Sequence, residues 1–524
     1  MTYPLTLLRV TTSHIYDRSI LMLTRKLKNN IRFLTCLLLI VALVVNANAR
    51  SKKTPSQKLP NIIYIYADDL GYGELGCYGQ QKIKTPNLDK MAREGMRFTQ
   101  HYTSTPVCAP ARAMLMTGKH GGHAAIRGNL ELGGFKDEEE RGQKPLPDVE
   151  FTVAELLRQR GYATALTGKW GLGMNNTEGT PTKQGFDYYY GYLDQKQAHN
   201  LYPSHLWEND KWDTLAQPWF DVHRKLNAAT ATDADFEAFK GKDYAPEKMT
   251  EKALSFIEKN KEGPFFLYMP YTIPHVSLQA PDEFVKQYMG QFDEKPYYGE
   301  QSYAPTKYPL STYAAMITYL DLQVGIVMAK IKELGLDENT IIMFSSDNGT
   351  TFNGGVNAKF FNSVAGLRGL KMDVYEGGIR EPFIARWPGK IKSGSVSHHI
   401  SAQYDVMATL AELTDQKVEK TDGISFLPEL LGKKQSKHAY LYFEYPEKGG
   451  QLAIRKGDWK AVKTDLKKNP HNPWQLFNLK TDRNETTDVA LKHPEMLEEF
   501  DMILKKEHQE IAVPQWQFLG PVLE

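Results

Sequence analysis

The chain has 524 residues, of which 41% are hydrophobic and 24% are charged, a composition typical of a globular protein long enough for a large core and a second domain. Of its 64 basic and 62 acidic residues, six basic and one acidic residue lie within positions 1–49, so the remainder carries a net charge of −3. That balance gives no support for a nucleic-acid partner.

Residues 1–49 predict a secretory signal peptide. A basic stretch containing Arg25 and Arg32 precedes a 13-residue apolar run, Phe33–Val45, and Ala47-Asn48-Ala49 forms a small-x-small cleavage site. The apolar run is shorter than a helix that spans a bilayer usually is, which favours a cleaved signal peptide. The alternative is an uncleaved N-terminal anchor. We therefore expect an exported protein, periplasmic or secreted, without stable membrane insertion after cleavage. Met22 is an alternative start to Met1.

The first elements after this segment are a strand and a helix. Asn61–Tyr66 is a short apolar, β-rich run that predicts a buried strand, and Asp68-Asp69 follows it. Two adjacent carboxylates at the end of a strand repel each other unless a cation lies between them. A helix is predicted next, up to Gly95, with Asn87 as its N-cap.

The segment from Val107 to Gly118 reads Cys-x-Pro-x-Arg, then four residues, then Thr-Gly. Pro110 suits a first helical turn and the Ala/Met/Leu run favours helix, so Cys108 is predicted at a helix N-terminus, where the dipole favours negative charge. Arg112 falls on the same face. This arrangement suits a nucleophile for an anionic substrate; the alternative is a buried structural cysteine beside a capping arginine. Cys77 is expected to be a buried small residue, not a disulfide partner.

Further polar residues follow predicted strands along the chain. The strands Tyr162–Leu166, Pro264–Pro270 and Thr340–Ser345 lead into Lys169, His275 and Asp347-Asn348, respectively. Helices are predicted at Val153–Arg160, Ala245–Asn260 and Tyr313–Leu334, a further strand at Phe383–Trp387, and loops over a site at 174–245. This alternation predicts an α/β domain over residues 50–434, with a largely parallel sheet flanked by helices and the polar clusters at one sheet edge. Short strands and a helix at Pro494–His508 predict a small C-terminal α+β domain over residues 435–524.

Taken together, Cys108-x-Pro110-x-Arg112, the Asp-Asp and Asp-Asn pairs, Gly168-Lys169-Trp170 and Glu376-Gly377-Gly378-Ile379-Arg380 resemble the motifs of type I sulfatases. The resemblance implies an alkaline-phosphatase-like superfold and oxidation of Cys108 to Cα-formylglycine by a sulfatase-maturing enzyme. It also implies one Ca²⁺ per chain, and the carboxylate and amide oxygens suit such a hard cation better than zinc. The implied metal ligands are Asp68, Asp69, Asp347, Asn348 and the modified Cys108.

The resemblance also implies a mechanism. Hydrated formylglycine attacks the sulfur atom while Arg112, Lys169 and Lys371 neutralise the sulfate oxygens. His275 protonates the departing sugar oxygen, with Lys371 as a possible second donor. A base then collapses the resulting hemiacetal sulfate and regenerates the aldehyde.

The chain departs from the family at Gly171, because many members read Gly-Lys-Trp-His and use that histidine in the last step. A neutral imidazole is the obvious substitute near pH 7. His199 in the predicted loop region is the first candidate and His123 the second; contact with sugar or solvent alone is the alternative for His199.

Two other functions compete with a sulfatase. A phosphoesterase of the same superfold would carry Ser or Thr as nucleophile and an Asp-His pair for zinc, whereas this chain has Cys108 and Asp347-Asn348. A non-catalytic carbohydrate-binding protein is supported by Gly171 alone.

For a sulfatase, we expect a sulfated polysaccharide as substrate, either algal (ulvan, carrageenan) or a glycosaminoglycan. Substrate contacts are expected from Arg127-Gly128-Asn129, His199-Asn200 and an aromatic set comprising Tyr188–Tyr192, Tyr202, Trp207, Trp212 and Trp219.

Overall fold

The computed structural model describes Met1, residues 13–50 and residues 58–519. The chain divides into two compact units, Met1–Lys58 and Leu59–Glu524. In the first unit, helix α1 (Ser13–Arg50) contains the whole apolar run of the predicted signal peptide, and the side chains described within it, from residue 20 to residue 41, are exposed.

The second unit contains fifteen strands and twelve helices among its described residues. The strands are β1 (Asn61–Ala67), β2 (Met96–Tyr102), β3 (Ala163–Lys169), β4 (Tyr188–Tyr192), β5 (His205–Glu208), β6 (Lys211–Thr214), β7 (Phe265–Pro270), β8 (Thr340–Ser346), β9 (Arg380–Arg386), β10 (Ser395–Ser397), β11 (Ser401–Ala402), β12 (Leu441–Tyr445), β13 (Gln451–Lys456), β14 (Trp459–Lys463) and β15 (Gln475–Asn478). The helices are α2 (Pro86–Glu94), α3 (Cys108–Thr117), α4 (Val153–Gln159), α5 (Asp233–Glu237), α6 (Ala245–Lys259), α7 (Asp282–Val285), α8 (Pro309–Glu333), α9 (Ala358–Phe361), α10 (Glu376–Ile379), α11 (Asp405–Leu413), α12 (Leu427–Leu430) and α13 (Pro494–Glu507).

The main sheet has eleven strands in the order β10-β2-β9-β8-β1-β7-β3-β4-β5-β6, with β11 also paired to β2. Its centre is parallel, since β1 pairs in parallel with β7 and β8, and β3 with β7 and β4. Strand β9 runs antiparallel to both of its neighbours, β8 and β2. The predicted α/β class with a mixed, mostly parallel sheet is confirmed.

Helices cover both faces of this sheet, as the unbroken burial of β1 requires. Ile63 and Ile65 join a core with α2, α6 and α8, while Ile62 and Tyr64 join a second core with α3, α4 and α11. Helix α8 is the one described helix long and apolar enough to cross a membrane, but 67% of its most apolar window is buried inside the fold, which identifies it as a core helix.

A second, four-stranded antiparallel sheet forms from β12 to β15. Its Leu441 and Phe443 share a core with Tyr102 and Val107, the residues at the end of β2 and just before α3. Helix α13 covers its other side through Phe500. This sheet therefore abuts the segment that carries Cys108, while the predicted domain boundary at residue 435 stays a prediction.

Two local predictions were wrong, and one strand was missed. Thr85, not Asn87, precedes helix α2, and Asp321 of α8 accepts hydrogen bonds from the first-turn backbone N–H groups of Asn87 and Leu88 at 3.1 and 2.7 Å. The region 174–245 is not only loops, because Tyr188–Tyr192 forms β4 in the main sheet. Strand β2, which pairs with β9, was not predicted.

Candidate active site

The polar clusters predicted at strand ends do meet at one edge of the sheet. The backbone N–H of Asp69, after β1, donates to Asp347 Oδ1, after β8, at 3.1 Å. The amide nitrogen of Asn348 donates to Asp69 Oδ1 at 2.7 Å. Asp69 adopts a left-handed conformation with φ of 64°, which turns the chain sharply at the end of β1. The parallel strands thus place three carboxylates and one amide side by side, all buried.

Cys108 opens helix α3 and lies against this cluster. Val107 before it is extended, and the helix ends at Gly118, whose φ is 66° and whose N–H binds the Met114 carbonyl. The thiol of Cys108 donates to Asp68 Oδ1 at 3.3 Å. Burial, and next the negative charge of Asp68, raise the pKa of the thiol, so an unmodified Cys108 stays protonated and is a poor nucleophile.

Three cations neutralise the carboxylates. Lys169 Nζ lies 2.7 Å from Asp68 Oδ2, and Lys371 Nζ lies 2.9 Å from Asp69 Oδ1. The Arg112 guanidinium binds Asp347 at 2.9 Å, Asp68 at 3.3 Å and the Lys169 carbonyl at 2.8 Å. Because Arg112 is completely buried and its contacts are to the site itself, we assign it a positioning role in place of the predicted contact with sulfate.

The arrangement fits a hard divalent cation. The side-chain oxygen of Asn348 is buried and has no hydrogen-bond partner among the described residues, although its amide nitrogen has two. Burial, and then the charge of Asp68, raise the pKa of Asp347 above its usual value, as expected for carboxylates crowded together. Ligand atoms of Asp68, Asp69, Cys108 and His275 all lie within 4.8 Å of one another. The oxygen-rich donor set suits Ca²⁺ or Mg²⁺.

His275 lies at the same edge, with Nε2 3.7 Å from Asp69 Oδ2 and Nδ1 against the Val276 carbonyl. Burial, and next the charge of Lys371, lower its pKa to about 4. His199 stacks on this ring, with centroids 5.3 Å apart and planes at 18°. The sequence thus placed His199 correctly beside the site.

Two neighbours of His199 were not predicted. His199 Nδ1 lies 3.3 Å from Nε2 of His223, whose other nitrogen contacts Ser302 Oγ at 2.6 Å. The Tyr303 ring lies 5.0 Å from the His199 ring. Burial, and next the charges of His275 and His223, lower the pKa of His199, which keeps it neutral. No motif surrounds His223 or Tyr303 in the sequence; only the tertiary fold brings them here.

Gly171 has a left-handed φ of 71°, and a Cβ at this position would lie 2.6 Å from Cγ of Gln195. The Gln195 amide nitrogen approaches Asn129 Oδ1 at 3.4 Å, and Asn129 Oδ1 accepts the backbone N–H of Ala109 in the first turn of α3 at 3.3 Å. Gln195 therefore fills the space into which a side chain at position 171 would project.

Several predicted contact residues have other partners. His123 binds Asp422 at 2.8 Å and lies 3.5 Å from Glu507, facing helix α13, so the structure gives it a structural partner and no support as a base. Arg127 is buried and pairs with Glu444 at 3.0 Å, which makes it a link to the second sheet. Asn200 is buried and accepts the N–H of Tyr202, a structural role.

The aromatic set is mostly structural as well. Tyr189, Tyr190 and Tyr192 are buried in or beside β4, and Trp207 binds Glu140. Of the predicted set, the large exposed rings are those of Trp212 and Trp219. A sugar-stacking role therefore stays open for these two residues and not for the strand. Cys77 and Cys108 are free, as expected, but Cys77 is half-buried, so the prediction that it is a buried residue was wrong.

Comparison with known proteins gives a consistent result. The family model described as Sulfatase matches residues 60–416, and the one described as N-sulphoglucosamine sulphohydrolase, C-terminal, matches residues 370–513. An N-acetylgalactosamine-6-O-sulfatase of Bacteroides thetaiotaomicron is 30% identical over 89% of this chain and 96% of its own length. Human arylsulfatase A is 32% identical over 84% of this chain and 86% of its own length.

Solved structures agree with these relatives. The crystal structure of Ps i-CgsB is 29% identical, covers 87% of this chain and 94% of its own, and superposes with a TM-score of 0.70. The same protein in complex with k-i-k-neocarrahexaose gives a TM-score of 0.69 at 28% identity, over 89% of this chain and 96% of its own. A phosphonate monoester hydrolase of Agrobacterium radiobacter, 18% identical, over 86% of this chain and 95% of its own, with a TM-score of 0.59, shares the fold alone.

Proposed function

We propose that this chain, which belongs to the sulfatase family of sulfuric ester hydrolases, removes sulfate from a sulfated carbohydrate. In this proposal the nucleophile is a formylglycine at position 108, and the site binds Ca²⁺. The observation that carries this proposal is the position of Cys108 at the start of α3, against Asp68 and among Lys169, Lys371 and Arg112. A thiol held protonated by burial has little use there as a thiolate, whereas its oxidised form would suit the site.

The chain's own residues would divide the work as follows. Lys169 and Lys371 present ammonium groups at the sheet edge, where they would neutralise the oxygens of the sulfate ester. Arg112, below them, holds Asp347 and Asp68 in place. His275 lies between Asp69 and the stacked His199 and is neutral in the free site. The negative charge of a bound sulfate ester would raise its pKa, so that Nε2 could hold the proton that the departing sugar oxygen takes.

Two groups complete this chemistry. Asp68, Asp69, Asp347 and Asn348 would hold Ca²⁺, which would balance the carboxylates and polarise the sulfate oxygens, and residue 108 would be a further ligand. Formylglycine would supply, in its hydrated form, an oxygen nucleophile for sulfur. Its formation requires a sulfatase-maturing enzyme, which we propose as a partner of the newly made chain.

The regenerating base is assigned to His199. It is neutral, it lies beside His275, and His223 and Ser302 follow it in a row of polar groups that could pass on a proton. A histidine at position 171 would need both a left-handed backbone and the displacement of Gln195. The base therefore has to come from elsewhere in the site.

The names of the relatives support a proposal for the substrate class. One acts, by its name, on a 6-O-sulfated N-acetylgalactosamine, and a similar structure holds a neocarrahexaose. We propose a glycosaminoglycan or a carrageenan, with ulvan as a further algal candidate. The predicted signal peptide supports export to the periplasm or beyond, where such polymers are encountered.

A panel of defined sulfated oligosaccharides, assayed for released sulfate, tests the function. We expect release from at least one carbohydrate sulfate ester, and none after Cys108→Ala, which should leave the fold intact. Peptide mass analysis of the active protein should find residue 108 as the aldehyde. Full turnover with only unmodified cysteine would contradict the proposal, and faster cleavage of phosphate than of sulfate esters would favour the phosphoesterase.

A further inference from the structure

A basic cavity of about 650 Å³ lies where β2 and the start of β9 approach the second sheet. Its lining includes five cations and one carboxylate, that of Asp458, and none of the residues assigned to the active site. The cations are Arg97, Arg380, Arg455, Lys480 and Arg483.

Four of these cations have no acidic partner. Within the described part of the chain, no ion pair is made by Arg97, Arg455, Lys480 or Arg483, and Arg483 binds only the Ala365 carbonyl, at 3.2 Å. Arg380 does pair with Glu376, at 3.1 Å, but the same carboxylate also binds Lys460 at 3.0 Å. The cavity therefore keeps an excess of positive charge that the protein does not neutralise.

Three of the four guanidinium groups are also held in place. Arg97 lies over the Tyr78 ring at 5.0 Å, and Arg380 over the Tyr72 ring at 5.3 Å. Arg455, which is 2% exposed, lies over the Tyr102 ring at 5.1 Å. Because the rings and nearby backbone carbonyls fix these side chains, an anion that enters would meet donors that are already ordered, and less conformational entropy would be lost.

We propose that this cavity is a second anion site, which binds a sulfate ester of the polymeric substrate other than the one being cleaved. The inference rests on the proposed function. Guanidinium groups match the oxygens of a sulfate ester in a bidentate manner, and the volume lies in the range that accommodates a small ligand such as a sulfated sugar unit. A polymer held at both places raises the effective concentration of its esters at Cys108.

Kinetics on two substrates of different length test this assignment. In the double variant Arg97→Gln, Arg483→Gln, KM for the sulfated polysaccharide should rise roughly tenfold while kcat stays unchanged, because contacts are lost in binding and not in chemistry. KM for a small aryl sulfate should not change. The matched control is Lys434→Gln, which removes an exposed cation that lies outside the cavity and makes no ion pair with any residue that the structure describes. This variant should behave as wild type on both substrates. An unchanged KM for the polymer would overturn the proposal.

A binding assay keeps the result independent of catalysis. Cys108→Ala protein should be retained on immobilised sulfated polysaccharide, and adding Lys480→Glu, an exposed substitution that the fold should tolerate, should weaken retention. This binding assay works even if the protein cleaves no sulfate ester, so failure of the proposed sulfatase activity can be distinguished from failure of the proposed second anion site. Calorimetric titration with inorganic sulfate should show weak binding; tight binding that depends on Arg97 and Arg483 would assign the cavity to the free anion and overturn the proposal for the ester.

Discussion

Arg112→Met is the sharpest test of the electrostatics at the sheet edge. The wild-type guanidinium is fully buried, pairs with Asp347 at 2.9 Å and Asp68 at 3.3 Å, and binds the Lys169 carbonyl at 2.8 Å. Methionine keeps the apolar stem and the helix propensity of α3 but removes the charge. Two buried carboxylates then share one cation fewer, and one buried carbonyl loses its donor.

The expected loss of stability follows from these contacts. Breaking a buried ion pair by removing one partner costs about 3–5 kcal/mol, and Lys169, still 2.7 Å from Asp68, keeps the cost near the lower end. For a folded unit the size of Leu59–Glu524, an unfolding entropy of about 2.1 cal/mol/K per residue gives a Tm lower by about 3–5 °C. Ca²⁺ should reduce the deficit, because a cation that binds the folded state compensates the same carboxylates.

Thermal unfolding in chelator and in Ca²⁺ measures both effects. Arg158→Met, on the exposed side of α4, is the control and should shift Tm by less than about 1 °C. Adding Asp347→Asn to Arg112→Met should recover part of the loss, because it removes one of the uncompensated charges. If the Tm of Arg112→Met equals that of the control variant, the buried carboxylates do not depend on this cation and the reasoning is refuted.

Three further predictions concern the site and its surroundings. Asp347→Ala should abolish activity, and chelation should inactivate the wild type reversibly; an active metal-free enzyme would contradict the Ca²⁺ assignment. His199→Ala should release about one alcohol per site and then stall, whereas steady turnover with a raised KM would make His199 a binding residue. Burial raises the pKa of Glu74 to about 7, so the contribution of Glu74 to wild-type stability should fall as the pH rises from about 4.5 through 7. Glu74→Gln should reduce the difference in unfolding free energy between pH 5 and pH 8 by roughly 2–3 kcal/mol, and an unchanged difference would remove Glu74 as its cause.

Elements with a local cause could be predicted from the sequence. Thr152 and Glu155 form a capping box, and helix α4 begins directly after Thr152, as its pattern predicted. Strand β2 has no such cause, since its Met-Arg-Phe-Thr-Gln-His-Tyr sequence is half polar and becomes a strand by pairing with β9. The Asn87 cap failed for a related reason, because the carboxylate that serves α2 comes from Asp321 in a distant helix.

The site divides in the same way. Asp68-Asp69, Lys169, His275 and Asp347-Asn348 were predictable because each follows a strand, and a parallel sheet brings the ends of its strands together. His223 and Tyr303 come from segments far apart in sequence, and they reach His199 only through the folding of the region between β6 and α8. Their positions depend on contacts between loops, which have no period in the sequence.

Gly171 shows how the structure changes the meaning of a sequence difference. In the sequence it is a missing histidine and the one argument for a decayed, non-catalytic protein. In the structure its φ of 71° and the 2.6 Å approach of Gln195 mean that a side chain there would require both strain and repacking. Gln195 reaches through Asn129 to the first turn of α3, and its side-chain oxygen, buried and without a partner among the described residues, remains available to an O–H group. A site that had merely lost its base would leave a gap, whereas here the space is filled by a polar side chain and a neutral imidazole stands beside His275. The departure at position 171 therefore argues for a relocated base and not for a lost activity.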